Sequence, residues 1–390
     1  MLKRLSPLAF VLPILVAVVQ PWIVTGQEPL IVRPLFDVRA TSQTGFSGYT
    51  PAEIRHAYGF DKIANQGSGQ IIAIVNPFDH PNIEQDLAVF SEAFGLPACS
   101  TSNGCFRKIY FDEKPVTDPV WARETAIDVE WAHAIAPQAK ILLIETSSAA
   151  LSDLLDAVDM AVRPPNKASA VSMSWGLPEF ANEFGYDGHF VRPNVTFVTG
   201  SGDVGRGTLY PAASPYVVSV GGTKLVLDAL GNYQSERGWS GSGGGLSLYE
   251  PEPLFQLIFP IPNNSNQMRG IPDVAYLADP GAGVAIYDSV PLNGSAGWDE
   301  AGGTSVGTPQ WAALIAIANS IRAAAGKAPL TGSQGVLYDA TTHDSDYNDT
   351  TKGTNGPCKT DCRATPSYDY LTGLGSPRAN NLIIRLSNLP

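Results

Sequence analysis

The sequence predicts an α/β domain built on a mainly parallel sheet. Three observations carry that expectation. Short apolar runs bounded by glycine or proline alternate with segments of helical periodicity, and the glycine-rich polar stretches fall directly after the apolar runs. In addition, 44% of the 390 residues are hydrophobic and only 16% are charged, enough for one large core.

The elements follow in order. Lys3 and Arg4 precede an apolar run from Leu8 to Val19, with the small residues Thr25 and Gly26 after it, so residues 1 to 26 read as a cleaved secretory signal. A short uncleaved anchor is the alternative. Residues 27 to 46 form a short N-terminal segment, and 47 to 388 read as one domain. SGYTPAEIRHAYGF leads into a short helix. GQIIAIVNPF is a β-branched run, Ile71 to Val75, that fits a strand buried on both faces. NIEQDLAVFSEAFGLP is a helix ending at Gly95 and Pro97. KILLIET, ASAVSMSWG, VTFVTGSGD and YVVSVGGTKL are further strands, and LSDLLDAVDMAV is a helix between two of them. Parallel sheets carry their chemistry beyond the strand carboxyl ends, where SWG (174 to 176), SGDVG (201 to 205) and GWSGSGGG (238 to 245) lie.

A net charge of −12 with scattered Lys and Arg excludes a basic nucleic-acid face. In an exported chain, the close pairs Cys99 with Cys105 and Cys358 with Cys362 read as local disulfides. A zinc site is set aside, because only His343 lies near the second pair.

GGTSVGTPQW, residues 302 to 311, sets Ser305 at a glycine-rich turn. Trp311, Leu314, Ile315, Ala318 and Ile321 follow at helical spacing. Backbone N–H groups at a helix start favour a developing anion, as an acyl-transfer nucleophile requires, though an ordinary helix cap has the same look. None of the histidines at 56, 80, 133, 189 and 343 occupies a glycine-flanked catalytic turn. The segment DPVWARETAIDVEWAHAIAP offers carboxylates instead. Asp118 is the expected N-cap with Pro119 at the first helical position, and Glu124 and Asp128 stand four residues apart on one face. Val120, Ile127, Trp131 and Ile135 form an adjoining apolar face, so the acids are expected at the edge of buried surface. Two partly desolvated acids share a proton and can act as a base in the acid range. A solvated or structural pair is the alternative. Asp203, in TGSGDVG, could donate to an oxyanion when protonated, or simply form a turn.

The order ETAID, SWG, SGDVG, SGGG, GGTSVGTP resembles the sedolisins, serine-carboxyl peptidases that share the subtilisin fold. SGYTPAEIRHAYGF, GSGQIIAIVNPFD, DLAVFSEAFGLP, RGIPDVAYLADPGAGVAIYD and YDYLTGLGSP extend the likeness over almost the whole mature length. The resemblance implies a three-layer subtilisin-like fold, with Ser305 as nucleophile, Glu124 as base, Asp128 orienting it and Asp203 as oxyanion donor. It implies that Ser174, Trp175 and Gly176 bind the substrate backbone by strand addition. It also implies one structural calcium ion held by the Asp349 and Asp369 side chains and the carbonyls of Thr350, Thr365 and Ser367. Two of the carbonyl positions, 365 and 367, are usually glycine in the family. An acidic surface loop is the plain alternative.

Family precursors usually carry a long propeptide, and only about twenty residues separate the expected signal cut from SGYTP, counted on the signal layout. The expectation is a secreted, monomeric, acid-active endopeptidase acting on peptides or unfolded proteins. A tripeptide-releasing exopeptidase and a non-catalytic binding protein on the same scaffold are the alternatives. A glycosidase is weaker, because carboxyls four apart on one helix cannot flank a sugar bond. Asn194, Asn263, Asn293 and Asn348 stand in Asn-x-Ser/Thr sites that matter only in a glycosylating host.

Overall fold

The computed structural model describes residues 29–39, 45–332, 334–339, 341–358 and 360–390. The expected signal, residues 1 to 26, lies outside them. Among the described residues no helix is long and apolar enough to cross a membrane.

The apolar runs form the centre of an eight-stranded sheet. Its order is Tyr233–Gly238, Val217–Leu227, Thr196–Gly200, Ala170–Met173, Ile71–Pro77, Lys140–Thr146 and Phe106–Tyr110, and Val274–Leu277 pairs with Val217–Leu227. All pairings are parallel except that of the edge strand Tyr233–Gly238. The run Ile71–Pro77 is central because its side chains satisfy both faces. Ile72 and Ile74 enter one buried cluster, while Ala73 and Val75 enter the other.

Helices cover both faces and make three layers. Ile83–Phe94, Pro119–Ile135 and Thr304–Ala324 pack on the first cluster. Leu151–Val162 packs on the second, through Leu151, Leu154, Leu155 and Val158. Each aliphatic side chain so buried contributes about 1.5–3 kcal/mol.

Asp118 caps Pro119–Ile135 as its sequence indicates, accepting from the Val120 and Trp121 N–H groups at 2.9 and 3.1 Å. Gly95 closes Ile83–Phe94 in the left-handed conformation, φ 65°.

Three expectations change. The helix Pro119–Ile135 is buried all round from Trp121 onward, so Glu124 and Asp128 lie inside the molecule rather than at an edge. The strand Val284–Leu292 and the helices Ile83–Phe94 and Thr304–Ala324 cover the faces an isolated amphipathic helix would expose. Val120, assigned to the apolar face, is 42% exposed in the first turn. Finally, ASAVSMSWG is two strands: the chain leaves the central sheet at Ser174, and Trp175–Pro178 joins a separate sheet.

Both cysteine pairs are disulfides, Cys99–Cys105 and Cys358–Cys362. His133 approaches the first pair, but its sulfurs are bonded to each other.

Candidate active site

The carboxyl ends of the central strands converge on the helices that carry Glu124 and Ser305. Glu124 and Asp128, both on Pro119–Ile135, are fully buried. Asp128 Oδ1 accepts from Ser174 Oγ at 2.5 Å, and Oδ2 accepts from Asn76 Nδ2 at 2.8 Å. Asn76 Nδ2 also donates to Thr125 Oγ1 at 3.2 Å, which fixes the amide between two residues of the same helix. Burial pushes the Asp128 carboxyl up to about 7, against the opposing pull of Ser174 and Asn76. Burial, followed by the nearby Asp128 charge, raises Glu124 well above the usual carboxylate range, while the Ser305 hydroxyl and the Leu35 amide act the other way.

Ser305 is the second residue of Thr304–Ala324 and is fully buried. Its hydroxyl lies near enough to ease the ionisation of Glu124, yet neither Ser305 Oγ nor Glu124 Oε1 completes a hydrogen bond. Asp203 is tied to the same helix start: its Oδ1 accepts from Thr304 N at 2.9 Å and from Thr304 Oγ1 at 2.8 Å. Gly303, at φ 99°, makes this approach possible. A Cβ there would lie 2.5 Å from both Asp203 Oδ2 and Phe36 Cα.

The histidines are engaged elsewhere. His56 meets Asp61 and Asn232, His80 accepts from Asn82 N, His133 meets the Pro97 carbonyl, His189 faces Asp159, and His343 meets the Leu374 carbonyl.

The N-terminal segment runs through this site. Arg33 and Pro34 pair antiparallel with Gly176 and Trp175. Leu35 N donates to Glu124 Oε2 at 3.2 Å, and Ser305 N donates to Leu35 O at 2.8 Å. Beyond it, Asp37–Arg39 pairs antiparallel with Glu300–Gly302. On the other side Val32 N donates to Ala149 O at 3.0 Å, and Leu151 N donates to Leu30 O at 2.8 Å.

Of the residues predicted from sequence, Glu124, Asp128, Ser305, Asp203 and Ser174 come together. Trp175 contributes only backbone, because its ring is buried and its Nε1 donates to Val75 O at 2.8 Å. Sequence reading missed Asn76, Thr304 and Leu35. Asn76 had a signal, as the polar residue that ends the run IIAIV. Leu35 had none, since its place depends on a strand pairing far away in the chain.

The calcium-type residues form a second cluster. Asp349 Oδ2 accepts from Ser367 N at 2.8 Å, and Asp369 Oδ2 accepts from Thr365 N at 2.9 Å. Asp369 Oδ1 accepts from the Leu371 and Thr372 N–H groups, both at 2.8 Å. Burial pushes Asp369 up to about 7, and only hydrogen bonds oppose it, with no cationic side chain among them. Thr350 is buried and its Oγ1 has no partner. Ser367 adopts the glycine-like conformation, φ 67°. An all-oxygen set around an uncompensated buried carboxylate fits a calcium ion.

No family model matches the chain. Individual relatives do. Kumamolisin of Bacillus sp. (strain MN-32) is 31% identical over 389 residues, covering 89% of this chain and 67% of its own length. Physarolisin of Physarum polycephalum is 28% identical over 345 residues, covering 68% and 57%. Thus the chain spans between 57% and 67% of the length of these two relatives. Among solved structures, Pseudomonas sedolisin, a serine-carboxyl proteinase complexed with two molecules of pseudo-iodotyrostatin, superposes with a TM-score of 0.75 at 26% identity. It covers 88% of this chain and all of its own.

Proposed function

This chain belongs to the sedolisin family of serine-carboxyl peptidases, and from that premise we propose that it is a secreted, acid-active endopeptidase working through an acyl-enzyme on Ser305. The reading rests on one observation: a buried serine at a helix start lies against a buried carboxyl pair, with no histidine engaged there.

In this scheme Ser305 Oγ attacks the scissile carbonyl and Glu124 takes its proton. Asp128, held by Ser174 and Asn76, orients Glu124 and shares the pair's single charge. Proton transfer of this kind supplies about 10²–10⁴-fold. The Ser305 N–H and a protonated Asp203 bind the oxyanion, where one donor is worth about 10²–10³-fold. Glu124 then returns the proton to the leaving amine, and water repeats the sequence on the ester. Acid favours the device, because the pair keeps a proton until the pH rises through about 7 at Asp128.

Residues 47–388 are the proposed peptidase unit, and peptides or unfolded proteins add as a strand along Ser174–Gly176. An endopeptidase is favoured over a tripeptide-releasing enzyme because the cleft holds extended chain on the amino side of Leu35, the residue whose carbonyl meets the Ser305 N–H, as far as Val32 and Leu30. The two disulfides and the N-terminal apolar run support export. The presence of Ser305, Glu124, Asp128 and Asp203 together weighs against a non-catalytic binding protein. Asp349, Asp369 and the carbonyls of Thr350, Thr365 and Ser367 would hold calcium, which would supply a structural cross-link between two loops.

The test is cleavage of an unfolded protein across the acid range. Ser305→Ala is expected to abolish it, and Glu124→Gln to lower kcat by about 10²–10⁴-fold. Undiminished activity in Ser305→Ala, or activity confined to alkaline pH, would end the assignment.

A further inference from the structure

The side chain of Asp203 is tied to the helix that carries Ser305, through the Thr304 N–H and hydroxyl. Its main chain is held differently. Residues 201–206 lie in no helix or strand, and they run against a second irregular stretch, 240–243. Gly243 N donates to Gly202 O at 2.7 Å, and Gly205 N donates to Gly241 O at 2.8 Å. Just beyond, Gly207 and Gly244 exchange both of their bonds, at 3.0 and 2.8 Å. Such glycine-rich backbone has much conformational freedom to lose, and pairing two loops with each other does not fix the pair on the molecule.

Asn355, from a third and distant part of the chain, bonds to both loops. It is buried. Its carbonyl accepts from Arg206 N, three residues after Asp203, at 2.9 Å. Its side-chain Nδ2 donates to Ser242 O, in the facing loop, at 2.8 Å. Gly205 permits the approach, since a Cβ there would lie 2.7 Å from Asn355 O. Asn355 is in turn held within its own turn. Its N–H donates to Cys362 O at 3.0 Å, Thr354 bridges to Arg363, and the Cys358–Cys362 disulfide closes the loop. One residue thus joins the Asp203 loop, the Ser242 loop and a covalently closed turn.

We propose that Asn355 is a positioning residue for the oxyanion site: by joining these loops it holds the Asp203 carboxyl where the oxygen of the tetrahedral intermediate forms. The inference rests on Asp203 being the oxyanion donor. Asn355 bonds to Arg206 and Ser242, so it acts on Asp203 through the loops and takes no part in the chemistry itself. An amide suits the task in an enzyme run by titrating carboxyls, because it keeps the same donors and acceptor at every pH in the working range. The effect is sizeable, since displacing a reacting or stabilising group by about 1 Å costs about 10²-fold.

The experiment compares the full chain with Asn355→Ala, Asp203→Ala and the double variant, in acid with calcium added. Two probes accompany the substrate: the aldehyde acetyl-Leu-Leu-norleucinal, whose hemiacetal with Ser305 puts an oxygen in the oxyanion position, and the matching alcohol, which forms no adduct. We expect Asn355→Ala to lower kcat by about 10–10²-fold with KM within about twofold, and to weaken the aldehyde by the same factor. The alcohol should change by less than about twofold, as should kcat when Asn355→Ala is added to Asp203→Ala, where nothing is left to position. Equal weakening of aldehyde and alcohol, or an undiminished effect in the Asp203→Ala background, would mark Asn355 as merely structural and overturn the inference. Unchanged kcat in Asn355→Ala would overturn it too. Asn355→Ser, a smaller change, enters the same comparison, and failure of both variants to fold would also count against the inference. Wild type that neither cleaves an unfolded protein nor prefers the aldehyde to the alcohol would instead end the peptidase reading.

Discussion

At Asp128, two hydrogen bonds compete with burial. Ser174 Oγ and Asn76 Nδ2 favour the charged carboxylate, while desolvation favours the acid. Removing one donor removes a term that holds the pKa down, so Ser174→Ala should keep the proton on the pair to higher pH. A hydrogen bond to a charged group is worth about 1.5–3 kcal/mol, so the alkaline limb of kcat/KM should move up by about one to two units. A Ser174→Ala profile that merely drops in height would show that Ser174 does no electrostatic work on the pair. The types and spacing of Glu124 and Asp128 were legible in ETAID, as was Ser305 in GGTSVGTP. The strength of their perturbation was not, because it comes from complete burial under elements distant in sequence.

The elements divide along the same line. Pro119–Ile135 begins at a cap the sequence announces, and its apolar content fits a helix packed on every side. Its hydrophobic face alone could not show that the strand Val284–Leu292 lies over it. Asp118 accepts from two N–H groups at that start, so Asp118→Ala should cost about 1 kcal/mol, read as a lowered urea midpoint with kcat changed little. The break at Ser174 was hidden for a different reason. AVSMSWGL is continuous as a strand, and only the third dimension turns Ser174 toward Asp128. At the other end of the chain, the paired loops of Asp349 and Asp369 hold their carboxylates by backbone N–H groups and, at Asp369, the Thr372 hydroxyl, with no cationic side chain. If calcium links those loops, chelation should lower Tm by several degrees, and Asp369→Asn should remove the response to added calcium. A Tm indifferent to chelator and to calcium would mean that the loops close without an ion.

Across the molecule, several buried acids hold their protons well beyond the usual carboxylate range. Burial raises Asp187 to about 6, Asp128 and Glu145 to about 7, Glu250 to about 8 and Glu183 to about 9, the last with Glu179 beside it. Glu179 is itself held by Thr208, Ser247 and the Leu248 N–H. In the unfolded chain such groups lose their protons near pH 4, by the ordinary values of about 3.9 and 4.3. These groups therefore bind more protons in the folded state between about pH 4 and about pH 9, and their contribution to stability falls as pH rises through that range. The contribution of these groups is complete below about pH 4 and is lost progressively up to about pH 9. Tm should accordingly decline by at least about 5 °C from pH 4 to pH 8, and Glu183→Gln with Glu250→Gln should flatten the decline. Of these acids, Glu183 accepts from the Phe180 N–H, just beyond Trp175–Pro178, the strand that pairs with Arg33 and Pro34. Alkaline pH should thus loosen the cleft wall first, seen as faster hydrogen exchange at residues 175–190 before the central sheet exchanges. A Tm that rises with pH would mean that these acids ionise in the folded state, and the acid-stable reading of the molecule would fail with it.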